Sequence, residues 1–239
     1  MKSMTNSVAV AVAALASGAS AFAGTVNLQF VSSGLNQAVQ VQDTVRGVNS
    51  YVAAGQLKWK VLAGGTDARF AVNSSVTTYC TDLTQYVGNG ILTMTGVENA
   101  PRPGAGMGAD RANMIRSLYA AAFDLSSASS VNAAAFQLAI WEIANESTVD
   151  FSAGNRGLSG LDLNTGTLKA TANAAVCNQA NTFLDAAYTS FRNATSFGSN
   201  IEAGVSETQQ DQIFLIPLPG PGAMAFAGLT VVAGVRRRR

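Results

Sequence analysis

The chain has 239 residues, of which 48% are hydrophobic and only 12% charged. That excludes a disordered chain, which is poor in apolar residues and rich in charge. Two cysteines exclude a disulfide-stapled miniprotein, and the absence of histidine removes Ser-His-Asp and Cys-His catalysis and His-liganded zinc together. The net charge is +1, but Lys2 and Arg236 to Arg239 supply five of the 15 bases. The remaining ten face 14 acids, so the body is mildly acidic and has no basic stripe for a phosphate backbone. No nucleic-acid partner is expected, and no cofactor or metal.

At the N-terminus, Lys2 precedes the short apolar run Val8 to Leu15, and Ala21-Phe22-Ala23 is a small-x-small cleavage site. Residues 1–23 read as a secretory signal peptide, which makes the protein an exported one. The body, residues 24–211, begins with strand patterns. Val26 to Val31 alternates, and so does Gln56 to Leu62, where Lys58 and Lys60 point away from Leu57, Trp59 and Val61. Val76 to Leu83 and Ile91 to Val97 are further strands, with Gly64-Gly65 and Gly88-Asn89-Gly90 as turns. Pro101 to Gly108 is a Pro/Gly loop, after which the period changes.

Asp110 to Leu125, Val131 to Glu146 and Thr171 to Asn193 read as helices, and the serines between the first two are a source of N-caps. Val149 to Thr167 is a glycine- and asparagine-rich loop, in which Asp162-Leu163-Asn164-Thr165-Gly166 is a turn rather than a calcium loop, because the later glutamate is missing. Gln212 to Ile216 is a candidate final strand, although it also opens the tail segment 212–239. The fold class expected is α+β, an antiparallel sheet or barrel with a packed helical segment.

The tail continues as Pro217-Leu218-Pro219-Gly220-Pro221, then Gly222 to Val235, apolar throughout, then four arginines. As a helix, the apolar stretch reaches only about 21 Å against a hydrocarbon core of about 30 Å. A proline-rich stop, a short apolar helix and a basic end suit a transient membrane association better than a permanent anchor. This tail resembles the PEP-CTERM family of bacterial sorting signals, without a glutamate between its prolines. The resemblance implies an exosortase-type processing enzyme as partner and a destination in the bacterial cell envelope, on the outer surface or in the extracellular matrix. The alternative is a weak C-terminal anchor that stays in place.

The chemistry-bearing residues lie in the body. With Gln137 set at zero and about 100° per residue, Ala133, Ala134, Ile140, Trp141 and Ala144 fall within about 60° of it, while Asn132, Glu142 and Glu146 fall on the far side. A glutamine is thus centred on the apolar face of its helix, opposite the charges. Burying an unpartnered amide costs about 2–7 kcal/mol, so this one must be hydrogen-bonded, for instance to a strand backbone, or chemically transformed. Cys80 stands in the strand-like Tyr79-Cys80-Thr81-Asp82, where Asp82 is expected on the same side as Cys80 and Tyr79 on the other. Cys177 offers a rival arrangement, a Cys80–Cys177 disulfide in a structural or non-covalent binding module. A third reading, a hydrolase built on Glu142 and Glu146, lacks a second acid site and places its carboxylates on a face expected to meet solvent.

Tyr79-Cys80-Thr81-Asp82 resembles the cysteine motif of the thioester domains, and Phe136-Gln137-Leu138-Ala139-Ile140-Trp141 resembles their glutamine motif. The resemblance implies an internal thioester between the Cys80 sulfur and the Gln137 side chain, in a pocket supported by Trp141, Ile140 and Asp82. An amine- or hydroxyl-bearing surface or matrix partner would then become attached to Gln137. Such a protein is a single-use covalent binder, not a turnover enzyme.

Overall fold

The computed structural model describes residues 24–194, 197 and 200–216; the signal peptide and the sorting tail expected from the sequence lie outside them. The fold is α+β, with a seven-stranded antiparallel sheet. Its first two strands, β1 (Thr25–Asp43) and β2 (Val48–Leu62), form one long hairpin. Asp43 closes the hairpin tip. Its Oδ1 accepts from the backbone N–H groups of Val45 and Arg46, and its Oδ2 pairs with the Arg46 guanidinium at 2.7 Å.

The hairpin changes register between Phe30 and Ser32 and again between Ser33 and Asn36. Gly55, at φ 149°, sits opposite the second shift, where a Cβ would run into the Leu35 carbonyl. Bulges of this kind bend a strand pair, and here they separate the hairpin into two halves with different neighbours. The proximal half joins β3 (Ser75–Cys80), β4 (Gly90–Thr95), β6 (Ile201–Val205) and β7 (Gln212–Leu215). The strand order β1-β2-β3-β7-β6-β4 returns to β1, so six strands close on themselves as a small barrel. The distal half of β1 instead carries β5 (Leu168–Thr171) as an outer strand.

Closure removes the edges that an open sheet would expose, and side chains fill the interior. Val26, Leu28, Trp59, Val61, Leu92, Met94 and Phe214 are buried, whereas Lys58 and Lys60 face out as the alternation predicts. The Trp59 indole N–H donates to Thr78 Oγ1, which donates to Gln212 Oε1, both at 2.7 Å. Gln212–Leu215, which the sequence reading also placed at the head of the tail, is therefore barrel wall: β7 pairs with β3 on one side and β6 on the other. The folded body extends past residue 211.

The helical layer consists of α1 (Ala109–Ser126), α2 (Ser130–Asn145), the single turn α3 (Arg156–Ser159) and α4 (Ala174–Asn193). Ser129 caps α2 by accepting from the Asn132 N–H, and Asn173 caps α4 by accepting from Val176. The expected start of α4 at Thr171 is corrected by β5, which takes up Leu168–Thr171 and leaves Asn173 to open the helix.

α2 runs through the middle of the molecule, packed against the hairpin on one side and α1 and α4 on the other. Phe136 is its hub, with the rings of Tyr79, Tyr119, Phe123 and Phe183 about it at centroid distances of 4.8–6.2 Å. This position corrects the two-faced reading of the helix. Glu142 and Glu146, expected on a solvent-facing side, are fully buried. A helix enclosed by elements on all sides has no solvent face to which charge can be assigned from periodicity.

Candidate functional site

The site lies where β3 ends. β2 pairs with β3 only from Ser75 to Thr78, because β2 bends away at its bulge, and β7 covers the other edge of Tyr79 and Cys80. One edge of the Cys80 backbone is thus left without a strand. Gln137 fills it. The Cys80 N–H donates to Gln137 Oε1 at 3.0 Å, and Gln137 Nε2 donates to the Cys80 carbonyl at 2.7 Å. A primary amide carries the same donor and acceptor as a peptide group, so the side chain reproduces a strand's reciprocal pairing at that edge.

Cys80 and Gln137 are 57 positions apart in sequence and meet at the floor of a cleft of about 500 Å³. Both are nearly inaccessible, with exposures of 4% and 1%. The buried amide predicted from the helical wheel is satisfied by a strand backbone, and that backbone belongs to the cysteine with which the resemblance pairs it.

The thiol is neutral at ordinary pH. Burial pushes it up to about 12; the nearby Trp141 indole opposes this, and the Asp82 carboxylate adds to it. Cys80 Sγ donates weakly to the Asp82 carbonyl at 3.7 Å. Trp141 lines the cleft one turn beyond Gln137, and its Nε1 has no hydrogen-bond partner of good geometry despite being buried.

Of the other expected pocket residues, Ile140 is buried in the core and not at the cleft. Asp82 does line the cleft, but the reasoning that put it there is corrected. β3 stops at Cys80, so strand alternation does not reach position 82. Asp82 instead opens a turn, its Oδ1 accepting from Thr84 N, Thr84 Oγ1 and Gln85 N. Its Oδ2 is buried with no partner. Tyr79 is core, as expected, in van der Waals contact with Phe136.

The Cys80–Cys177 bridge is not formed. Both cysteines are free: the Cys80 sulfur faces the Asp82 carbonyl, while the Cys177 sulfur, in the first turn of α4, faces the Ala172 carbonyl at 3.9 Å. The end of β3 abuts α2, whereas α4 starts from β5, which is attached to the far half of the hairpin.

Glu142 and Glu146 serve the loop that follows α2. Glu146 accepts from the backbone N–H groups of Thr148, Thr167 and Leu168 and from the hydroxyls of Thr148 and Thr167. These bonds hold its carboxyl below the usual range against the cost of burial. Glu142 Oε1 accepts from the Asp162 N–H at 2.8 Å, while its Oε2 has no partner. Burial, then the Glu146 charge, pushes the Glu142 carboxyl up to about 8. Among the described residues no group of three potential metal ligands assembles.

Sequence reasoning passed over three contributors. Asn145 donates to the Thr81 and Trp141 carbonyls at 3.1 Å each, tying the end of α2 to the residue after Cys80. Its place at the end of the helix gave no sign of this role. Tyr51 and Tyr86 stand at the cleft, 78% and 90% exposed. Each lies between the segments that the sequence patterns pick out, Tyr51 before Gln56 and Tyr86 between Leu83 and Gly88.

Comparison with family models, with curated proteins and with solved structures matches none of them. Among the described residues, no helix is long and apolar enough to cross a membrane.

Proposed function

We propose that this is an exported bacterial surface or matrix protein whose Cys80 and Gln137 form an internal thioester for single-use covalent attachment. The observation that carries the reading is the reciprocal hydrogen bonding at 3.0 and 2.7 Å, which fixes the Gln137 amide against the cysteine it would acylate. The export signal and the processed tail of the reading rest on the sequence alone.

In the first step the Cys80 sulfur attacks the Gln137 side-chain carbon, the C–N bond breaks, and the thiol proton leaves with the nitrogen as ammonia. The Cys80 N–H already points at the oxygen on which negative charge develops, the arrangement of an oxyanion-hole donor. In the second step a partner's amine or hydroxyl attacks the same carbon, the C–S bond breaks, and the partner's proton passes to sulfur. The partner ends amide- or ester-linked to the Gln137 side chain. The buried Trp141 N–H, which lies near the sulfur and lowers its pKa, supports the departing thiolate. Water is scarce at a carbon this deeply covered, which slows hydrolysis while the bond waits.

The direct test is incubation of fresh protein with methylamine followed by peptide mapping. The expected result is one methylamine on Gln137 and one newly alkylatable thiol at Cys80, with neither appearing in Cys80→Ala. Unmodified Gln137 in the wild-type protein overturns the reading.

A second reading has its own observation. The Gln137 amide satisfies the Cys80 edge completely, so the pair can serve as a non-covalent staple between barrel and helix in a binding or structural module. It predicts no methylamine incorporation and an intact amide at Gln137.

A further inference from the structure

The cleft above Cys80 has properties that covalent attachment does not require. Its volume of about 500 Å³ falls in the range of small-ligand sites. Its wall comes from three separate segments: the bend of the hairpin, the turn after β3, and α2. Tyr51 from β2 and Tyr86 from the turn are both strongly exposed there. Among the described residues lining the cleft, Asp82 alone carries a charge. Two other residues of the lining, Trp141 and Asp82, carry buried polar atoms with no hydrogen-bond partner of good geometry, the Trp141 Nε1 donor and the Asp82 Oδ2 acceptor. Orphaned buried polar groups are rare in folded proteins, and each costs about 1–3 kcal/mol until something pairs with it.

We infer that this cleft docks a neutral polysaccharide, gripping a pyranose unit between Tyr51 and Tyr86 with its hydroxyls directed at Asp82 and Trp141. A sugar hydroxyl both donates and accepts, so one kind of group answers an orphaned acceptor and an orphaned donor together. A cation answers Asp82 and leaves the Trp141 N–H unpaired. An acyl chain or apolar peptide side chain leaves both unpaired. The C–H face of a pyranose suits the aromatic rings, which combine large apolar area with few rotatable bonds. The two orphaned atoms lie beneath the accessible surface, so the turn carrying Tyr86 has to shift outward as the sugar enters. That turn is held by Gln210, whose N–H donates to the Tyr86 carbonyl and whose side chain donates to the Asp82 carbonyl.

Docking is non-covalent and does not depend on the thioester, so the test uses full-length Cys80→Ala, which cannot form one. The protein is run by affinity electrophoresis through gels containing dextran, pullulan, galactomannan or xylan. The expected result is retardation by at least one of them that persists in about 1 M salt, because no ion pair is involved. Tyr51→Ala and Tyr86→Ala should each weaken it about tenfold. Both residues are surface-exposed, so these variants fold. Free mobility in all four gels, or retardation unchanged in the Tyr51→Ala/Tyr86→Ala double variant, or retardation abolished by salt, overturns the proposal. Methylamine incorporation at Gln137 is read on wild-type protein, so covalent chemistry and docking succeed or fail separately.

Discussion

One helix, α2, carries two buried polar clusters, and they are solved differently. Toward the barrel, Gln137 meets the Cys80 backbone with donor matched to acceptor and acceptor to donor. Toward the following loop, Glu146 gathers five donors while Glu142, one turn earlier, has one oxygen paired and one bare. A neutral amide can be buried with two hydrogen bonds and nothing left over. Two adjacent carboxylates cannot share so few donors, and one of them must give up its charge. The first cluster seats an uncharged amide; the second organises a loop and makes the fold sensitive to pH.

The largest effect is expected where most partners depend on one side chain. Glu146→Ala leaves the Thr148, Thr167 and Leu168 N–H groups without their acceptor and should cost about 3–5 kcal/mol by chemical denaturation. Protease sensitivity should appear within residues 147–167. A loss below about 1 kcal/mol would mean that the loop is held by its own contacts.

Gln137→Leu, made in Cys80→Ala so that the reference protein keeps its amide, comes next. It conserves side-chain volume but strands both backbone groups of residue 80 in the core, for an expected loss of about 2–4 kcal/mol. Stability equal to that of Cys80→Ala alone would show that the reciprocal pairing is dispensable.

Glu142 gives the pH dependence. Its folded carboxyl sits near 8 against an ordinary 4.5, so between those values the folded state holds a proton that the unfolded state has lost. Stability from this group is therefore present at low pH, falls as pH rises through the window, and levels off above 8, by up to about 1.4 kcal/mol per pH unit. Glu142→Gln keeps an acceptor for the Asp162 N–H and removes the titration. Denaturation midpoints of the variant should change less than those of wild type between about pH 5 and about pH 9. Parallel profiles would contradict the assignment.

The smallest effect is at Cys177. It is half-buried and in no disulfide, so Cys177→Ser should change stability by less than about 1 kcal/mol in the presence or absence of reductant. A large, reductant-dependent loss would instead place it in a disulfide.

These contrasts also show which parts of the molecule can be read before folding. The alternating strands and the helix spans were legible because each repeats a local period, as at Lys58 and Lys60 beside Trp59. The burial of Gln137 was legible for the same reason. The distal hairpin, residues 32–43 and 48–55, was passed over although Val39-Gln40-Val41-Gln42 alternates and both valines are buried, because the residues before it, Ser32 to Gln37, are mostly polar and its pairing comes from a partner strand and β5. β5 and β6 are short and acquire their register only in the sheet. Glu142 and Glu146 misled because a wheel divides a helix into two faces, and α2 has neighbours on all sides. Asp82 misled because alternation was extended past the last strand residue. Tyr51 and Tyr86 gave no signal, since a cleft wall is assembled from segments that no local pattern connects.

The central claim is a bond between two side chains, and bond formation changes mass. Intact-mass spectrometry of freshly isolated wild-type protein, without reductant or amine buffer, should find it lighter than its sequence by one ammonia, with full mass restored in both Cys80→Ala and Gln137→Ala. A wild-type protein at full mass, carrying a free thiol at Cys80 and an intact amide at Gln137, would contradict the account and leave the reciprocal hydrogen bonds as a structural staple alone.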